Sequence, residues 1–403
     1  MTDDQDASRW PAVEFERRPW QVFDTYTSRA QRGLHQGDYR ACVPARIADA
    51  DLVLPAQLLA ESEDALREIV RFDQYASMQL GSSVELAPMS SILLRTESSA
   101  SSQIENLTVG ARALALAELG SPTTRNASIV SGNVRAMEAA LEVGTSIDAS
   151  SVLAMHHALM EPSGDPQPDR WRTQQVWIGG SDIGPQRAAF VPPHHDRLPD
   201  ALDDLFEFAA RSDLPVIPHV AVTHAQFETL HPFTDGNGRT GRAIIHGMLR
   251  RAEVTERVTV PLSAGLLTDT ASYFESFDAY RRGDVEAIVR SLTAATFHAV
   301  TGGRRLVDDL AAVRAEYIER IVARSDSVVW KLVDALVAQP VVDNAYVRSA
   351  FGVSEIAAQR AIDKLAEAVI LHQTSKGRRN RVWQADEILA ALDRFADGIR
   401  RVR

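Results

Sequence analysis

The stretch HPFTDGNGRTGR, His231 to Arg242, decides how the rest of the chain is read. It gathers an imidazole, a carboxylate, an amide, three glycines and two guanidiniums just ahead of the apolar helical pattern AIIHGML. Gly236, Asn237 and Gly238 can turn backbone N–H groups inward, because Gly, and to a lesser degree Asn, tolerates positive φ. With Gly236 to Arg239 as the first turn of a helix, unpaired amides and the positive end of the helix dipole face one concavity. Arg239 and Arg242, three apart, share a helical face and can hold two anionic groups. Asp235 suits a divalent cation bridging phosphate oxygens. His231 is the group able to take a proton near neutral pH. The stretch reads as a phosphate site with a base attached.

At 403 residues the chain has room for two or three domains, and 45% hydrophobic with 24% charged residues is ordinary for a soluble globular protein. A single cysteine, Cys42, excludes an intramolecular disulfide and the metal-binding Cys patterns. MTDDQDASRW is acidic and lacks the apolar core of a secretory signal, and no run approaches the length of a membrane span. A cytoplasmic protein with no membrane association is expected. The net charge of −11 argues against a nucleic-acid coat and leaves room for a local basic patch.

Upstream, residues 1–110 form an N-terminal region that passes from Pro- and aromatic-punctuated sequence into the helical period of LLAESEDALREIVRFDQYA, with Pro88 and Ser90 opening the next helix. TESSASSQIENLTV, Thr96 to Val109, is dense in small side chains. A serine-rich linker is one reading of it. The other is a helix that lies close to a neighbour, with Ser101, Ile104 and Glu105 at helical spacing. Ala111–Leu119, Ser131–Val143 and VLAMHHALM read as amphipathic helices, with one of His156 and His157 packed and the other in solvent. Trp171 to Pro193 is the one convincing β segment of the core, a hairpin of QQVWI and AAFVP around a Gly/Asp/Pro turn. His219, His224 and His231 lack metalloprotease spacing, so His224 is expected to be buried and hydrogen-bonded.

Downstream, Gly302-Gly303 is expected to break the helical pattern, leaving Leu306–Val322 as a connecting helix. Ser325 to Arg403 then reads as a separate unit: a helix over Val328–Leu336, a short helix over Asn344–Phe351, a turn at Gly352 and a Ser354-capped helix to Ala366. Two β-like pieces follow around the basic turn with Lys376, Arg378, Arg379 and Arg381. The expected division is 1–110, 111–302, 303–324 and 325–403.

His231 to Arg242 resembles, in full, the motif of the Fic family, including the second arginine. Members with this form mostly transfer AMP from ATP to a Ser, Thr or Tyr hydroxyl of a target protein. The resemblance implies His231 as general base, Asp235 on Mg2+, Asn237 with the amides of Gly236 and Gly238 on the α- and β-phosphates, and Arg239 and Arg242 at the β/γ end. SSQIEN is similar to the family's inhibitory motif, which implies Ser101, Glu105 and Asn106 as a brake acting through Arg242. The hairpin resembles the flap that lines up the target as an added strand. SYFESFDAYRRGD resembles the helix that places a tyrosine, here Tyr273, near the adenine. Many such chains end in a winged helix, which serves either DNA or a protein partner, a second copy included.

The fold class expected is thus mostly α: a Fic-like helical core with a β-hairpin flap and a C-terminal winged helix. Rival readings are another nucleotide donor, removal of AMP, or a DNA-binding regulator.

Overall fold

A computed structural model describes residues 10–22, 28, 33–79, 86–121, 123–142, 146–164, 169–324, 327–374 and 381–400. β1 (Glu14–Trp20) and β2 (Gly37–Val43) pair antiparallel, Phe15 opposite Cys42. Then come α1 (Ala56–Gln79), α2 (Leu86–Ile104), α3 (Ala111–Glu118), α4 (Arg125–Glu142), α5 (Ala149–Met160), α6 (Leu198–Ala210), α7 (Val216–Leu230) and α8 (Asn237–Arg251). They are followed by α9 (Leu262–Leu266), α10 (Thr270–Arg281), α11 (Val285–Arg320) and α12 (Val328–Ala338). β3 (Val341–Asp343), α13 (Asn344–Phe351), α14 (Glu355–Glu367), β4 (His372–Gln373), β5 (Val382–Gln384) and α15 (Asp386–Arg400) complete the chain. The architecture is mostly α, as expected. Among the described residues no helix is long and apolar enough to cross a membrane.

The core is organised around α7, which is buried on every side from Ile217 to Leu230. A helix without a solvated face needs neighbours all round, and α1, α6, α8, α10 and α11 supply them. α7 stops where His231 takes the left-handed conformation (φ 49°) and Pro232 follows. A proline cannot continue the helical hydrogen bonding. α8 restarts at Gly236, left-handed at φ 79°. The loop between two buried helices is therefore held at both ends.

Three sequence expectations need correction. Gly302-Gly303 does not break a helix, because α11 runs unbroken through both. A Cβ at Gly303 would come within 2.9 Å of Phe72 Cζ, so that glycine serves the packing of α11 on α1. A boundary between 302 and 303 would fall inside one helix. Second, Trp171 to Pro193 is not a regular hairpin: only the bridges Ile178↔Phe190 and Ser181↔Gly184 form. The regular hairpin is β1–β2, which braces this flap through Cys42 N–H to Val191 O (3.0 Å) and Trp20 edge-on to Trp177 (5.2 Å). Its register depends on pairing across a long connection, which local alternation does not report.

Third, the C-terminal residues are not a detached unit. Their elements follow the expected order, with Ser354 capping α14, Gly352 left-handed, and sheet order β3-β5-β4. Yet α12 packs on α2, and α15 returns to α11 and α3. Gln339 Nε2 donates to Ala115 O (2.8 Å), and Tyr317 O–H donates to Glu387 (2.8 Å). Leu332 and Leu336 share one apolar cluster with Ile92 and Leu94. Lys376, Arg378 and Arg379 of the basic turn lie outside the described residues.

The two adjacent glycines of α11 should respond oppositely to alanine. Gly302→Ala, whose nearest atom would be Phe395 Cε2 at 3.3 Å, should be neutral or stabilise by up to about 1 kcal/mol through helix propensity. Gly303→Ala should cost about 1–3 kcal/mol, because the buried Phe72 ring has to move. Urea unfolding of the two variants checks this.

Candidate active site

The loop 231–236 is clamped by side chains from three elements. Asn237 closes it: its Oδ1 accepts from Phe233 N–H (2.8 Å) and its Nδ2 donates to Phe233 O (2.9 Å). The Asn237 side chain is therefore a brace of the loop, with both its amide atoms engaged and not free for the phosphate contact expected of it. Gly236 has to be glycine twice over, for its positive φ and because a Cβ would meet Leu159 Cδ2 at 2.9 Å. His156 stacks on Phe233 (3.6 Å, 1°) and its Nε2 reaches Asp235 O at 3.1 Å. His157 is exposed, so the pair divides into one packed and one wet ring as anticipated.

Arg172, unremarked in the sequence, grips the same loop from the flap side. Its Nε donates to His231 O (2.8 Å), its Nη1 to Gln174 O (2.9 Å) and its Nη2 to Pro193 O (2.6 Å). Burial lowers its pKa to about 10, since no carboxylate balances it. An arginine satisfied by carbonyls has no charge partner to betray it in a sequence.

The two arginines of α8 meet one carboxylate. Glu105 Oε2 accepts from Arg239 Nε and Glu105 Oε1 from Arg242 Nη2, both at 2.8 Å. Arg242 Nε also donates to Ser101 Oγ (2.8 Å), and its Nη2 to Ser101 O (2.9 Å). Both guanidiniums are 3% exposed and Glu105 is 27% exposed. The serine-rich run is a helix, not a linker: Ser98, Ser101 and Ser102 are fully buried, and Asn133 Nδ2 donates to Ser98 O (2.8 Å). Small side chains let α2 approach α8 this closely. Asn106, left-handed at φ 62°, reverses the chain after α2 so that Glu105 projects from the turn just past the helix end. Gly238 leaves room, for a Cβ there would lie 2.5 Å from Glu105 Oε1.

Glu105 is the last rung of a ladder of polar side chains. Glu97 and Ser101 of α2 and Glu105 of the turn that follows it repeat every four residues, facing His246 and Arg242 of α8. Glu97 is 0% exposed. Its Oε1 lies 2.9 Å from His246 Nε2 and accepts from Ser263 Oγ (2.5 Å), while its Oε2 accepts from Ser263 N–H (2.8 Å).

The His231 side chain is 20% exposed. Burial, then Arg172 and Arg281, depress its pKa to about 3. It is neutral and its ring can accept a proton. Asp235 sits at the mouth, 68% exposed; its Oδ1 accepts from Gly236 N–H (2.6 Å) and Arg239 Nη2 (3.3 Å). A lone exposed carboxylate fits an ion whose remaining ligands are phosphate and water.

Tyr273 departs from expectation. It is 2% exposed, with its hydroxyl 2.7 Å from His224 Nε2 and its ring against Phe277. It cannot offer a face to a base; the exposed neighbour is Phe274, at 51%. His224 is buried and hydrogen-bonded, with burial pushing its pKa down to about 3.

The family model described as Fic/DOC matches residues 146–249, which hold His231 to Arg242. This chain carries a Fic/DOC family domain. Fic relatives match it over little more than a third of its length. A protein adenylyltransferase of Caenorhabditis elegans is 27% identical over 147 residues, covering 36% of this chain and 26% of that one. One of Nematostella vectensis is 23% identical over 159 residues, covering 39% and 34%. The chain thus spans about a quarter to a third of the curated relatives it matches. A crystal structure of a Fic family protein from Desulfovibrio desulfuricans aligns with 83% of this chain and 97% of that one, at TM-score 0.50 and 21% identity. The Fic fold is shared with it.

Breaking the buried rung should be costly for the fold. Glu97→Ala leaves His246 and the Ser263 amide without their acceptor, and should lower the unfolding free energy by about 3–5 kcal/mol, as removal of one partner of a buried pair does. A loss under about 1 kcal/mol in urea unfolding would contradict the ladder.

Proposed function

We propose that this chain is a protein adenylyltransferase that moves AMP from ATP to a Ser, Thr or Tyr hydroxyl of a target protein, and that Glu105 inhibits it. The observation that carries this reading is the Glu105 carboxylate, which bridges Arg239 and Arg242 of the helix that follows the His231 loop. In the active arrangement those guanidiniums take the β- and γ-phosphates, and the amides of Gly236, Asn237 and Gly238 take oxygens nearer the α-phosphate. Ser101 and Asn106 belong to the brake: one holds Arg242, the other turns the chain so that Glu105 points back at α8.

His231 takes the proton of the target hydroxyl, its oxygen attacks the α-phosphorus, and pyrophosphate leaves. Asp235 would hold Mg2+, which when bound neutralises charge on the phosphate oxygens. Preorganised donors around the phosphates supply the rest of the transition-state stabilisation. The flap, fixed on β1–β2, presents the target chain by main-chain bonds. At the C-terminal end α14 carries Glu355, Asp363 and Glu367 against Arg360 and Lys364, a poor match for phosphate backbones. The packing of α12 on α2 favours a protein-docking or bracing role instead.

Incubation with α-labelled ATP, Mg2+ and lysate, followed by mass spectrometry, tests the reading. Glu105→Gly should raise labelling of protein by roughly 5–150-fold, the usual range of a coupling free energy. His231→Ala should abolish it while ATP still binds. Protein label undiminished by His231→Ala would overturn the assignment. Parallel reactions with other nucleoside triphosphates, and a chase for loss of label, identify another donor or AMP removal.

A further inference from the structure

A base placed where His231 sits needs help. Burial and two guanidiniums disfavour the imidazolium, yet that ion has to form when the hydroxyl proton is taken. The charged groups around the ring are Arg172 from the flap, Arg281 from α10, Asp235 from the loop and, at 3.9 Å, the carboxylate of Glu228 from the last turn of α7, whose main-chain carbonyl also faces the ring as a hydrogen-bond acceptor. The two arginines oppose the charge. Asp235 is exposed and turned toward Gly236 and Arg239.

Glu228 is different. It is 8% exposed, and its Oε2 lies 3.9 Å from His231 Nδ1. The spacing i, i+3 and the left-handed turn at His231 bring the ring back over it. Among the described residues its Oε1 makes no hydrogen bond. Burial raises its pKa to about 7, Arg242 pulling the other way and Glu105 adding to the rise. A carboxyl held this way is expensive for a fold unless it has a task. Gly241 makes space for it, since a Cβ would meet Glu228 Oε1 and His224 Nδ1 at 3.0 Å each.

We propose that Glu228 is a positioning residue for the base: its carboxylate, 3.9 Å from Nδ1 of the His231 ring, stabilises the imidazolium formed when Nε2 accepts the hydroxyl proton. The catalytic half of this rests on the AMP-transfer reading; the pairing of the two side chains does not. An opposite charge within about 4–6 Å favours the charged form of a group, so the carboxylate increases the basicity of Nε2 without touching the substrate.

The test uses Glu228→Gln and Glu228→Asp in two assays. In the Glu105→Gly background, Glu228→Gln should lower kcat at least about tenfold, part of the roughly 10²–10⁴-fold that a positioned base contributes. The half-saturating ATP concentration should stay within about twofold, as expected when only a transition-state interaction is lost. Glu228→Asp should recover part of the rate. In the otherwise unaltered chain, diethyl pyrocarbonate should acylate His231 several-fold more slowly after Glu228→Gln, with the exposed His157 as internal reference. An unchanged kcat together with an unchanged acylation rate overturns the proposal, and so does a kcat loss matched by lost ATP affinity. If Glu105→Gly transfers no AMP but acylation still slows, the pairing stands and the AMP-transfer reading falls.

Discussion

One carboxylate between two guanidiniums sets the state of this molecule. Arg239 and Arg242 are three apart on α8 and almost wholly buried, so their charges repel in a region of low dielectric unless an anion lies between them. Glu105 is that anion. Burial disfavours the charge on Arg242, while Tyr273, Glu105 and Glu228 together outweigh it and keep its pKa raised. A nucleotide triphosphate would supply negative charge to the same two groups. On the proposed function Glu105 and the phosphates would compete for one site, and Gly238, whose missing Cβ admits the carboxylate, makes that occupancy possible.

Such competition requires the two helices to keep their register. α2 lies against α8 through buried serines, the Ser101 contact and the Glu97–His246–Ser263 network. The upper rungs are dry and the last is partly solvated. Release can then begin at the Asn106 turn, where Glu105 is 27% exposed, without unpacking the helix. Outside α2, α12 covers another face, so the C-terminal residues bear on the helix that leads into Glu105. The loop itself is held by Asn237, His156 and Arg172, none of which bonds to Glu105.

What could be read from the sequence was local. His231 to Arg242 carries its chemistry in contiguous residues, and helix starts with Ser354 or Gly352 nearby obey capping and turn rules that need no neighbours. Contacts between distant segments were harder. Glu97 sits in the serine-rich stretch as an unremarkable acid until Ser263, 166 residues on, donates to it. Arg172 binds carbonyls, and carbonyls leave no pattern in a sequence. Gly303 looked like a helix breaker because the ring that needs its space, Phe72, belongs to another helix. Tyr273 was placed near a base by resemblance, whereas burial against His224 uses its hydroxyl as a support behind the arginines.

The competition at Arg239 and Arg242 is tested most directly by comparing equilibrium affinities for AMP and for a non-hydrolysable ATP analogue before and after Glu105→Gly, by isothermal titration calorimetry. Because Glu105 occupies the β/γ end alone, the substitution should tighten the triphosphate by roughly 5–150-fold and leave AMP within about twofold. Equal tightening of both ligands, or of neither, would contradict the account.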